Sequence, residues 1–257
     1  MASSGLSVGA LDDLRETLEQ NVLLTLFWHE IKQGFKAWLY RGWIGFTFFF
    51  VFLFVMIDLT GGQEPTSIFM ILAYFVFLGT LYSMVIGSSS ITGEVGGIAD
   101  SLLSKAVKRW EYILSKFLSQ YFLSLFVYFL MVGITTSLMY GFDKIPDDMD
   151  WFNAGVLFAL VAMVLVLFSS VGVLFSTLSS RTVFAFLMGI MIWFALIFMF
   201  MMTGWESIYS PISIINNAEK IIDGTWDVDW WRLVGYYILT PLACFGLSLM
   251  SFYQRDL

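Results

Sequence analysis

The chain has 257 residues, of which 59% are hydrophobic, 19% aromatic and only 13% charged, with a mean hydropathy of +0.81. A water-soluble domain carries about 25% charged residues, so this composition excludes a fully solvated surface and points to a bundle of membrane-crossing helices. The formal net charge of −7 argues against nucleic-acid binding, and the single cysteine, Cys244, excludes an intrachain disulfide or a cysteine metal cluster.

The N-terminal stretch places Asp12, Asp13, Glu16 and Glu19 ahead of any apolar run, unlike a secretory signal. From residue 22 to 39, Leu24, Phe27, Trp28, Ile31, Phe35, Trp38 and Leu39 fall at helical spacing. His29, Lys32, Gln33 and Lys36 occupy the other face. This pattern predicts an amphipathic helix along the cytoplasmic membrane interface, its lysines meeting anionic lipid headgroups. Residues 1–40 therefore read as an N-terminal interface region and 41–257 as a transmembrane domain.

Six stretches lack Asp, Glu, Lys and Arg: 42–57, 65–93, 117–142, 151–180, 182–205 and 233–254. About 20 apolar residues cross the hydrocarbon, and five of the six are long enough. The first has 16 residues, about 24 Å of helix. It spans if Arg41 snorkels while Trp38, Tyr40 and Trp43 sit at the interface. The expected spans are about 42–58, 67–91, 116–139, 152–177, 182–203 and 233–253. With both termini cytoplasmic, ten of the 13 Lys and Arg residues lie inside, which satisfies the positive-inside rule. The fold class is all-α: six transmembrane helices in a multi-pass protein of the cell (plasma) membrane. The external connection 204–232 holds Ser210 and Pro211 before Ile212, Ile215, Ile221, Ile222 and Gly224, which predicts a short helix over the outer end of the bundle.

The chain lacks a Gly-rich phosphate loop ending in Gly-Lys-Ser/Thr. His29 is the only histidine and sits on the polar face of the interface helix, leaving none for a metalloprotease or a Ser/His hydrolase. No catalytic, cofactor-binding or metal-ligating residue is expected. Met199, Met201 and Met202 near the end of the fifth span, and Cys244 in the last, read as packing. Charges stand at the ends of the expected spans rather than at their centres, unlike the buried carboxylates of ion-coupled carriers. The hydroxyls of Thr80, Ser83, Thr135, Thr136, Ser169 and Ser170 either line a translocation path or join helices.

The connection 92–115, on the inner side, carries the sharpest pattern. Gly93, Gly96 and Gly97 interrupt the helix leaving the membrane. Ile98, Leu102, Leu103 and Val107 then form an apolar face opposite Asp100, Lys105 and Lys108. A compact helix below the membrane is a docking knob for a partner. Composition alone equally admits a self-contained channel, a scramblase or a regulatory membrane protein.

This loop resembles the signature region of type-2 ABC exporter permeases. Glu94, Gly97, Leu102, Leu103, Ser104, Arg109, Glu111, Tyr112, Lys116 and Phe117 match that family's pattern in order. The terminal run Phe252 to Leu257 and the Tyr209-Ser210-Pro211 triplet are also similar to its motifs, closest to the NosY-like subgroup. The resemblance implies a membrane subunit that pairs with a second permease copy. Separate cytoplasmic ABC ATPase subunits would bind the ATP and Mg. Glu94, Gly97, Ile98, Asp100, Leu102, Leu103, Ser104, Val107 and Arg109 would form the coupling region against the ATPase. Glu30, on the interface helix, would touch it as well.

Overall fold

The computed structural model describes residues 22–61, 67–92, 108–145, 149–179, 181–199 and 209–254. Among them all regular structure is helical. In chain order these are α1 (Val22–Lys36), α2 (Trp38–Gly61), α3 (Ser67–Ser89), α4 (Arg109–Gly141) and α5 (Trp151–Leu178). There follow α6 (Thr182–Phe194), α7 (Pro211–Asn216), α8 (Ala218–Ile222) and α9 (Trp230–Gln254). Two π-helical turns interrupt the regular spacing: Phe75–Gly79 inside α3 and Ala195–Met199 after α6.

Helices α2, α3, α4, α5 and α9 are long and apolar enough to cross a membrane. The fifth expected span is shorter: its apolar helix covers Thr182–Phe198. Residues 200–203 of that expected span, including Met201 and Met202, lie outside the described residues. The interface helix ends at Lys36, so Trp38 and Leu39 belong to α2. Both are exposed, at 83% and 52%. The helix that carries the third expected span begins at Arg109, two turns before 116.

Helix α5 is the hub and packs against α3, α4, α6 and α9, with α7 and α8 near its Trp151 end. It carries no charge between Trp151 and Leu178, and small residues such as Ala154, Ser169, Ser170 and Gly172 stud its length. In lipid, small residues let helix backbones approach closely, since burial itself gives little driving force there. At Gly87 of α3 and Gly172 of α5 the two backbones touch. A Cβ added at Gly172 would stand 2.5 Å from the Met84 carbonyl oxygen, and one at Gly87 would stand 2.9 Å from that of Ser169. By contrast, α2 presents Phe46, Phe48, Phe49 and Phe52 outward, each more than half exposed.

The start of α5 is fixed by hydrogen bonds. Asp150 caps α5, its carboxylate accepting from the Phe152 amide at 2.9 Å. The Asn153 side chain donates to the Ile222 carbonyl at 3.1 Å. The expected external helix is two short helices, broken at Asn217. Pro211 opens the first, as expected, and Gly224 turns the chain with φ +68°. Ile212 and Ile221 are buried; Ile214 is fully buried while Ile215 is only half-buried.

Candidate functional site

After the connection 93–107 the chain rejoins the bundle at Lys108. Glu111 turns back one helical turn, and its carboxylate accepts from the Lys108 amide at 3.3 Å. This satisfies a donor that the start of a helix otherwise leaves without a partner. From there Arg109, Tyr112 and Lys116 recur at three and four residues and so share one stripe of α4.

Each residue of the stripe ties α4 to another element. Arg109 Nη1 donates to the carbonyls of Phe252 and Tyr253 at 3.5 and 3.3 Å, at the end of α9. A helix end carries unpaired carbonyls and partial negative charge, so a guanidinium is the fitting group there. Its carbon also lies 5.7 Å from the centre of the Tyr253 ring. Tyr112 is buried and stacks on Phe252, with ring centres 5.7 Å apart. Lys116 is fully buried, and its Nζ lies 2.7 Å from Glu30 Oε1 on α1. The same ammonium stands 5.3 Å from the centre of the Tyr112 ring.

The rest of α1 is seated on α4 by shape. Ile31 is buried, and Gly34 lies so close to Leu123 that no Cβ fits there without displacing that side chain. Edge-on ring pairs Phe27–Phe122 and Phe35–Phe126 flank the seat. The Tyr40 hydroxyl donates to the Leu123 carbonyl at 3.0 Å, fixing the corner from α1 into α2. Three segments far apart in sequence thus form one foot: α1, the start of α4 and the end of α9.

Of the residues expected to meet an ATPase, Arg109 and Glu30 belong to this foot, and both are engaged within the chain. Glu94, Gly97, Ile98, Asp100, Leu102, Leu103, Ser104 and Val107 lie outside the described residues. Lys116 and Tyr112 were legible as motif residues but not as partners of Glu30 and Phe252. The available signal was spacing. Glu30 stands three residues after Phe27 and one before Ile31, on the flank of the α1 face that packs on protein.

The hydroxyls occupy separate places. Ser170 and Tyr121 hydroxyls are 2.7 Å apart, and Ser124 and Ser169 hydroxyls 3.1 Å, both between α4 and α5. Thr80 accepts from the Trp193 indole at 2.9 Å, joining α3 to α6. Thr135 donates to the Met131 carbonyl one turn back, at 2.9 Å. The hydroxyls of Ser83 and Thr136 are buried without a partner among the described residues. Among those residues no group of three or more His, Cys, Asp or Glu side chains is placed to hold a metal.

The family model described as ABC-2 family transporter protein matches residues 53–256. That stretch takes in α3 to α9 whole and the later part of α2. Comparison with curated proteins gives no match. The chain belongs to the ABC-2 transporter family, as the membrane-embedded permease component of an ABC transporter.

Proposed function

We propose that the chain is the membrane half of an exporter of the plasma membrane, driven by cytoplasmic ABC ATPase subunits that bind ATP and Mg. Six spans cross the bilayer with both termini inside, the last-but-one formed by α6 and the residues after it. Two copies pair to enclose the path, and the loop motif resembles the NosY-like subgroup.

One observation carries the reading: the foot at the start of α4. The connection 93–107 joins α3 to a helix end that is capped by Glu111, bonded to α9 through Arg109 and to α1 through Lys116. A push on that connection is therefore delivered to three elements together. The segment Ile98–Val107 seats on the ATPase through Leu102 and Leu103, flanked by Glu94, Gly97, Asp100 and Ser104. Nucleotide-driven closure of the ATPases moves the foot. The buried hydroxyls of Thr80, Ser83, Thr135, Thr136, Ser169 and Ser170 supply polar groups to the path that opens between helices.

Co-purification with the ATPase tests this reading. Leu102→Asp with Leu103→Asp is expected to abolish nucleotide-dependent association while leaving the purified permease folded. Unchanged assembly and transport in that variant would refute the coupling role.

A further inference from the structure

A groove of about 610 Å³ runs between α4, α5 and α9, within the size range of sites that hold a small ligand. Along α4 its wall extends from Leu114 to Phe129, about 22 Å of helix axis. Ala159, Ala162, Met163 and Val166 form its α5 side, where the two small alanines leave the space open. Its rim residues Leu118, Phe129, Ile238 and Leu242 are exposed by 37 to 59%.

We propose that this groove holds one acyl chain of a membrane phospholipid, with the phosphate of that lipid at Arg109. All three walls are helices long and apolar enough to cross a membrane, so the groove opens onto hydrocarbon rather than water. Left unfilled, its lining atoms would lose their dispersion contacts. One leaflet of the hydrocarbon core is about 15 Å deep, so the groove has length for a whole tilted chain.

Charge fixes which end takes the headgroup. Arg109 stands five residues before Leu114, about 7.5 Å along α4 and about 140° around it, and so meets the groove only through its reach to α9. Its guanidinium reaches the α9 carbonyls of Phe252 and Tyr253, so it bridges the same two helices that flank the groove above. Both bonds use Nη1. A guanidinium carries five N–H donors, and its other edge suits a phosphodiester. Lys108 and the half-exposed Trp110 stand beside it, residue types that favour the headgroup layer.

The test uses the whole chain purified in mild detergent and weighed by native mass spectrometry. The wild type is expected to retain one phospholipid per chain. Ala162→Phe, which fills the groove, is expected to lose it. Val183→Phe, on the exposed face of α6, is expected to keep it, and Arg109→Gln to weaken retention several-fold. Absence of lipid from the wild type, or equal retention by Ala162→Phe, would overturn the proposal. A second measurement needs no variant: a phospholipid with a photoactivatable acyl chain is placed in vesicles with the wild type. Crosslinks should concentrate on Leu118, Phe129 and Ile238 relative to Val183, Phe184 and Met191. An even distribution, or a partner chain crosslinked into the groove, contradicts the assignment. Neither readout involves nucleotide, so failure here leaves the ATPase-coupled reading standing.

Discussion

Lys116 is fully buried, with Glu30 2.7 Å from its Nζ and the centre of the Tyr112 ring 5.3 Å away. Removing one partner of such a pair strands the other, at a cost of about 3–5 kcal/mol. Replacing both with apolar groups of similar volume is often neutral. Glu30→Ala is therefore expected to lower the thermal unfolding temperature of the detergent-solubilised chain. Glu30→Leu combined with Lys116→Met should recover most of that loss. A double variant as unstable as the single one would show that the pair is not what seats α1 on α4. Little of this was legible beforehand. The positions are 86 residues apart in sequence, and nothing local to α1 states which charge its acidic residue meets.

At the scale of the element, helix packing is decided by missing side chains as much as by those present. The contact of α3 with α5 rests on Gly87 and Gly172, where the backbones already touch. Gly172→Ala puts a methyl group against the Met84 backbone and must push the helices apart. Gly155, on the same helix, has nothing within 4 Å of its would-be Cβ. Gly172→Ala is thus expected to reduce the yield of monodisperse protein on size-exclusion chromatography, and Gly155→Ala to leave it unchanged. Equal yields would contradict the close approach. The sequence could mark these glycines but not rank them, because an apolar run carries no periodic signal for which face meets protein and which meets lipid. Helices α2 and α5 read alike as charge-free runs, yet one is peripheral and the other is the hub. The π-helical turn Phe75–Gly79 was equally silent, since no proline or charge marks it.

At the scale of the molecule, five of the six charge-free stretches coincide with helices long and apolar enough to cross a membrane. Arg41 and Asp58 bracket most of α2, and Asp150 marks the start of α5. Helix α4 begins two turns before its charge-free stretch. Lys116, which bounds that stretch in the sequence, is buried within the helix against Glu30. Of the motif residues, Arg109, Glu111, Tyr112, Lys116 and Phe252 meet in one foot, in which Glu111 caps, Tyr112 stacks and Phe252 receives the ring. The reading of that foot as the place where a motor pushes requires the connection 93–107 to face the cytoplasm. Ser101→Cys and Ser104→Cys, each made in a Cys244→Ser background, test this with a membrane-impermeant maleimide. The account predicts labelling in inside-out vesicles and none in intact cells; labelling of either cysteine in intact cells would contradict it.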